Sequence, residues 1–385
     1  MSGAAKAMSD FIPVNEPVIG EREKALVMEC LNTGWISSEG PFISQFEEAF
    51  SRRVGRKHGV ACANGTAALD LAVAALGLGP GDEVILPTFT IISCAAAIVR
   101  AGATPVVVDA DPNTWNMVPE QVAAAISPRT AAIMVVHIYG LPVDMDPILE
   151  LAARQGLAVI EDAAELIGGT YKDKPCGSFG TISTFSFYPN KHITTGEGGM
   201  IATNDASLSE RCKSLRNLCF QPKQRFLHHE LGWNYRMTNL QAALGLGQLE
   251  RLDHTVMKKR EIGLLYKHLF AANQHIHSQV DSTDFALNIY WVFGLLLKQE
   301  NLFACDLIDE LAKAGIGTRP FFYPLHLQPV FRAKKFFQSA HCPVAERLSR
   351  QGFYIPSGLA LTADKQKIVA AKVASITQHF AESTT

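Results

Sequence analysis

Lys191 lies in the run SFYPNKHITTGEGG (Ser186 to Gly199), and upstream of it Asp162 follows the apolar stretch of LAVIEDAAE. The first run surrounds an amine with hydroxyls, glycines and aromatic side chains. The second ends an apolar strand in a carboxylate. A lysine in a mostly desolvated pocket loses basicity, which suits it to bond an aldehyde and to shuttle protons. A carboxylate at a strand end can keep a pyridine nitrogen protonated, so that the ring accepts electrons. Together they are the pair that pyridoxal 5′-phosphate (PLP) chemistry requires, with Lys191 and Asp162 as the catalytic candidates. The ordinary alternative for a lysine is a solvated surface residue. Against it, the segment carries Glu197 as its one other charge and shows no amphipathic period.

Residues around the pair fit the same ligand. Asn64-Gly65-Thr66 stands where a strand ends and a helix begins. First-turn N–H groups, close approach at Gly65 and the Thr66 hydroxyl would make an anion site. The competing reading is an ordinary N-cap supplied by Thr66. Ser186 offers a second hydroxyl, Ala163 and Ala164 leave room for a flat ring, and Glu165 can reach its substituents. Arg236 in GWNYRMTNLQAALG can grip an anion with its planar fork, or can be a plain surface arginine. His192, next to the lysine, faces the other way on an extended segment and can simply pack. A dinucleotide fingerprint is the rival phosphate site in such a chain. Its nearest candidate, GLGPGDE (Gly77 to Glu83), precedes a strand and contains Pro80, so it reads as a turn.

The elements that must position these groups are legible as alternating runs. HGVACA, EVILP, TPVVVDAD, TAAIMVVHIYG and LAVIEDAA read as buried strands. TAALDLAVAALG, TIISCAAAIVRAG, PEQVAAAI and DPILELAARQG read as the helices between them. Near-continuous Val/Ile/Ala runs suit strands covered on both faces, and strand–helix–strand units imply a mainly parallel sheet with right-handed crossovers. From Met237 the pattern becomes one long helix, MTNLQAALGLGQLERLDHTVMKKREIGLLYKHLF. The fold expected is α/β: a large domain over 1–255 and a smaller C-terminal α/β domain over 256–385 that lends residues to a shared cleft.

At 385 residues and 48% hydrophobic the chain can bury a core of that size. A formal net charge of −2 gives no basic excess for nucleic acid or anionic membrane. MSGAAKAMSDFIPVNEP lacks the apolar run of a signal peptide, and no stretch is long enough to span a bilayer. Eight cysteines without a CxxC pair read as reduced thiols of a cytoplasmic protein. His228 and His229 point apart on a strand, which disfavours a shared zinc, so no metal is expected.

Taken in order, NGTAAL, EDAAE, SFYPNKHITTGEGG, GWNYRMTNLQAALGLGQLERL and TRPFFYPLH resemble the DegT/DnrJ family of nucleotide-sugar aminotransferases, from about Phe11 to Leu361. The resemblance implies PLP fold type I, like aspartate aminotransferase: a three-layer α/β/α large domain plus the smaller one. It also implies that Lys191 holds PLP, that Asp162 pairs with the pyridinium nitrogen, and that Glu165 lies near the ring hydroxyl. Gly65, Thr66 and Ser186 would bind the phosphate, with Asn234 and Arg236 contributed across an obligate homodimer that shares its active sites. Ser37, Ser38, Phe322, Tyr323 and His326 would contact the sugar nucleotide. One departure concerns PTFTIIS, where Ile91 stands at the position of an aromatic that stacks on the ring in many relatives. Either Phe89 substitutes for it, or the ring is held by aliphatic contact alone. The sugar 3-dehydratases of the family carry histidine in place of the lysine. This chain shares their Tyr188, Pro189 and His192 but keeps Lys191, which points to aminotransfer. Expected substrates are glutamate and a nucleotide-linked 4-keto-6-deoxyhexose, GDP-4-keto-6-deoxymannose first and UDP- or dTDP-linked sugars as alternatives. The product would be an amino sugar for a surface polysaccharide such as O-antigen. A 3-dehydratase and a non-catalytic PLP-binding regulator are the rival readings.

Overall fold

The computed structural model describes residues 11–383. Residues 1–10, on which part of the reading of the N-terminus rests, lie outside them. Two helices, α1 (Glu21–Thr33) and α2 (Pro41–Arg53), precede an alternating series. It runs β1 (His58–Cys62), α3 (Gly65–Ala75), β2 (Glu83–Pro87), α4 (Ile92–Arg100), β3 (Thr104–Val108), α5 (Pro119–Ala125), β4 (Thr130–Val136), α6 (Met145–Gln155) and β5 (Ala158–Asp162). A short hairpin, β6 (Thr170–Tyr171) with β7 (Lys174–Pro175), leads to β8 (Ile182–Ser186), β9 (Gly199–Thr203) and α7 (Ala206–Arg216).

Seven of these strands form one sheet in the order β1-β9-β8-β5-β4-β2-β3. Every pairing from β8 across to β3 is parallel, while β9 runs antiparallel to both its neighbours. All residues of β2 and β9 are buried. That explains the unbroken apolar runs, since helices cover both faces. Each fully buried Val, Leu or Ile in such a strand stabilises by roughly 1.5–3 kcal/mol.

The single long helix expected from Met237 is two helices, α8 (Asn239–Glu250) and α9 (Leu252–Leu269). Arg251, at φ −112° and ψ 15°, breaks the helical path between them. Its guanidinium is drawn to Glu23, 2.9 Å away, and to the Val18 carbonyl. Each half then follows its own partners: α8 packs on α1 and α2, and α9 packs on the C-terminal helix.

After α9 come β10 (Ile276–Ser278), β11 (Phe293–Leu297), α10 (Ala304–Lys313), β12 (Arg319–Pro320), α11 (Pro329–Ala333), α12 (Pro343–Gln351), β13 (Gly352–Ile355) and α13 (Ala363–Ser383). These strands make a second, antiparallel sheet in the order β10-β11-β13-β12. It has its own core, in which Tyr266, Phe293, Leu307, Phe353 and Val373 meet. Among the described residues no helix is long and apolar enough to cross a membrane.

Candidate active site

Parallel strands deliver their carboxyl ends to one edge of a sheet, and ligands bind there. Here β1 runs into Asn64, β5 ends at Asp162 and β8 ends at Ser186. Between them opens a cavity of about 680 Å³ whose walls include Gly65, Thr66, Asp162, Glu165, Ser186 and Lys191.

The lysine turn lies between β8 and β9. Phe187 closes it from both sides: its N–H donates to Gly198 O at 2.8 Å, and its carbonyl accepts from Thr195 N at 3.0 Å. The Thr194 hydroxyl donates to the same carbonyl at 3.0 Å. Within this frame the Lys191 side chain is only 10% exposed, with Nζ 3.7 Å from Glu165 Oε1. The amine also sits 3.5 Å from the centre of the Trp291 ring. Burial lowers the Lys191 pKa, and the nearby carboxylates of Glu165 and Asp162 pull it back up. His192 turns away from the cavity and packs with its Nε2 facing Ile289 O at 3.5 Å.

Asp162 is buried and its carboxylate is held from two sides. Ala164 N–H donates to Oδ1 at 3.1 Å, and the Cys94 thiol donates to Oδ2 at 3.4 Å. Burial raises its pKa. A cation alongside is therefore what would hold it ionised. Glu165 accepts the Tyr139 N–H at 2.9 Å, and burial pushes its pKa up to about 7.

Asn64, not Thr66, caps α3: its Oδ1 accepts the Ala67 N–H at 2.8 Å. That releases the Thr66 hydroxyl, which meets the Ser93 hydroxyl at 2.9 Å on the cavity wall. A Cβ built on Gly65 would come 2.8 Å from Ser186 Cβ, so only glycine lets the helix start sit against β8. Hydroxyls of Thr66, Ser93 and Ser186 at a helix N-terminus form a donor set for a phosphate. A cavity beside a buried carboxylate and a desolvated amine matches the remainder of PLP. The residues present fit that cofactor.

Other expected residues fall elsewhere. Phe89 is fully buried among Tyr139, Phe321 and Phe322 and does not line the cavity, whereas Ile91 does. The aliphatic alternative for the ring face is therefore the one this geometry offers. His326 is also buried: Nδ1 meets the Thr88 hydroxyl at 2.8 Å and Nε2 meets Glu346 at 3.2 Å. Both nitrogens are engaged in packing the loop, so it is no surface for a substrate. Phe322 lines the cavity, while its neighbour Tyr323 is 52% exposed and does not. Ser38 and Arg236 line a separate pocket of about 250 Å³, where Arg236 donates to Asn217 Oδ1 at 2.8 Å. Ser37 lends its carbonyl to Asn239 N–H at 2.7 Å, and Asn234 is exposed.

Ser93, Cys94, Trp291 and Tyr354 belong to the site's surroundings and were not singled out from the sequence. The runs of the first three, TIISCAAA and IYWVFGLLL, read there as apolar elements, and Tyr354 lies in neither. On the opposite face of β5, ligand-type atoms of His137, Glu161 and Cys176 lie within 4.8 Å of one another. Glu161 is spent on His137 Nε2 at 3.0 Å and on the N–H groups of Gly177 and Phe179 at 2.6 and 2.8 Å. Val143 N–H donates to His137 Nδ1 at 3.1 Å, leaving the proton on Nε2. This is a hydrogen-bond hub that anchors β5.

Residues 17–374 match the DegT/DnrJ/EryC1/StrS aminotransferase family. The chain is 44% identical over 372 residues to the GDP-perosamine synthase of Caulobacter vibrioides, covering 94% of this chain and 98% of that one. The crystal structure of the aminotransferase TlmJ from Streptoalloteichus hindustanus superposes with a TM-score of 0.90 at 29% identity, over 96% of this chain and 100% of that one. The PLP-form of Spr1654 from Streptococcus pneumoniae gives 0.89 at 26% identity, over 96% and 99%. The match spans both sheets and the turn that carries Lys191, and on that ground the chain belongs to the DegT/DnrJ/EryC1/StrS family and is a PLP-dependent aminotransferase.

Proposed function

We propose that this enzyme moves an amino group from glutamate to C4 of a nucleotide-linked 4-keto-6-deoxyhexose, with GDP-4-keto-6-deoxymannose giving GDP-perosamine. The observation that carries the reading is the 44% identity, over 94% of the chain, to a protein named for that product. The intact lysine at the cavity floor supports aminotransfer over dehydration.

When bound, PLP supplies an aldehyde to carry the amino group and a ring to take up an electron pair. The chain's own residues do the rest. Lys191 Nζ would hold the aldehyde end and, with its basicity lowered by burial, would take and return the proton at carbon. Asp162, its carboxylate held by Ala164 and Cys94, would keep the ring nitrogen protonated. Glu165, its carboxyl pushed up to about 7 by burial, would lie near the ring hydroxyl. Gly65, Thr66 and Ser186 would bind the phosphate. Trp291, Phe322 and Tyr354 wall the cavity with rings and keep water from the amine.

The proposal extends to a cytoplasmic homodimer with shared sites, a large domain over 1–255 and a smaller one over 256–385. Asn234 and Arg236, neither of which lines the cavity of its own chain, would act on the cavity of the partner. Ser37 and Ser38 would act on the sugar nucleotide from the same side. The test is glutamate with GDP-, UDP- and dTDP-linked 4-keto-6-deoxy sugars, read by mass spectrometry. Stoichiometric amino sugar and 2-oxoglutarate are expected from the GDP substrate, and a deoxygenated sugar would overturn the reading. Lys191→Ala is expected to cut turnover by about a thousandfold or more.

A further inference from the structure

Trp291 approaches the lysine amine more closely than any carboxylate does. The Lys191 Nζ lies 3.5 Å from the indole centre and 3.7 Å from Glu165 Oε1. An ammonium within about 6 Å of an aromatic face is attracted by the ring's negative quadrupole, most strongly where water is excluded. Here the lysine side chain is 10% exposed and Trp291 is 4% exposed.

The ring is also built into place. Its Nε1–H donates to Asn190 O at 2.8 Å, which keys the indole to the residue just before the lysine. The backbone leading to it is bent, with Tyr290 at φ +51°. Asn288 enforces that bend: its Oδ1 accepts Tyr290 N–H at 2.7 Å, and its Nδ2 is tied to Gln279 and Val280. Ile289 N–H donates to Gly140 O at 2.8 Å, and a Cβ on Gly140 would come 2.6 Å from Trp291 N. A non-glycine residue held at positive φ persists only where its surroundings over-determine it, and such strain gathers at functional sites.

We propose that Trp291 is a positioning residue whose indole face seats the free Lys191 ammonium inside the cavity whenever that amine is not covalently engaged. The inference rests on Lys191 being the cofactor lysine. The seat keeps the amine charged and aimed at the cavity, where a released lysine would otherwise swing toward solvent. Glu165 alone is a poor counter-ion for this task, because it is itself half protonated near neutrality. An aromatic face does not titrate. The other groups acting on the amine are Asp162 and Cys94, and Glu197, Tyr188, Tyr235 and Tyr354 complete the titratable lining of the cavity.

The experiment measures Lys191 in cofactor-free protein: the rate of its reductive methylation against pH, read by peptide mass spectrometry. Removing the ring face takes support from the charged form, so the midpoint moves down. Trp291→Leu is expected to lower it by roughly one pH unit, a roughly tenfold gain in reactivity below the midpoint. Trp291→Phe, which keeps a ring face but loses the N–H, recovers most of the shift. Because Trp291 is a core residue, a second measurement leaves the side chain's shape intact. Multiply fluorinated tryptophan, incorporated at the chain's four tryptophans, drains the quadrupole and keeps the N–H. A midpoint that falls with fluorination supports the seat, and one that stays at the parent value overturns it. A phenylalanine variant that shifts as far as the leucine variant also overturns it. Failure of the parent protein to form a borohydride-reducible link between Lys191 and PLP would instead sink the assignment of the lysine, a separately readable result.

Discussion

Glu165 shows how a single side chain sets the pH behaviour of the site. Its carboxyl is pushed up to about 7 by burial, from the ordinary 4.5. Between those two values the folded protein holds a proton that the unfolded chain has released. Stability therefore falls as pH rises through that window. Glu165→Gln removes the titrating group, so the cofactor-free variant is expected to lose less stability than the parent between about pH 5 and about pH 8, by on the order of 1–3 kcal/mol. Urea midpoints at the two pH values measure it. An equal loss in parent and variant would show that Glu165 stays ionised throughout, held by Lys191. EDAAE made Glu165 a candidate for the cavity, which it does line, but its proton was not legible there. The proton depends on burial and on the 3.7 Å approach of Lys191, which is a non-local contact.

At the scale of elements, the junction of α3 with β8 decides the phosphate end of the cavity. Gly65→Ala would drive a methyl to 2.8 Å from Ser186 Cβ and force the helix start away from the strand. Overpacking of this kind costs about 1–3 kcal/mol, so PLP affinity is expected to weaken roughly tenfold to a hundredfold. A cofactor titration followed by absorbance measures it, and an unchanged dissociation constant would remove Gly65 from the cradle. Strands β1 to β5 were legible because their burial on both faces leaves apolar runs. Strand β8 was not, because TISTFS looks polar. Its Ser183 is nevertheless fully buried, its one hydroxyl proton within reach of Gly177 O at 2.7 Å and Ala202 O at 3.1 Å. A serine with its hydrogen bonds met inside the fold cannot be told from a loop serine by its letter. The break at Arg251 was hidden for a related reason: helix propensity runs on through it, and the ion pair with Glu23 that bends the path joins residues far apart in the chain.

For the whole molecule, the cavity draws on both sheets. Trp291 precedes β11 and Tyr354 lies in β13, yet both line the site at the carboxyl edge of the large sheet. Trp35 and Ile36, beside Ser37, are 52% and 47% exposed, and Ile91 at the cavity wall is 43% exposed. A contiguous exposed apolar patch is the usual mark of an interaction face. If that face joins two copies, Trp35→Glu is expected to shift sedimentation from two chains toward one and to reduce turnover in parallel. Sedimentation of the parent as a single chain would end the shared-site proposal.

The sequence by itself determined the reaction class, because that depends on residue types in local runs: a lysine in a glycine- and hydroxyl-rich turn, and a carboxylate at a strand end. It determined the parallel architecture too, through the apolar strands that two covering layers demand. The tertiary structure alone decided what surrounds the amine. Cys94 reaching Asp162, Trp291 lying over Lys191, and Phe89 and His326 withdrawn into the core are all contacts between distant segments. Side-chain direction there is set by packing and hydrogen-bond partners that no local pattern encodes.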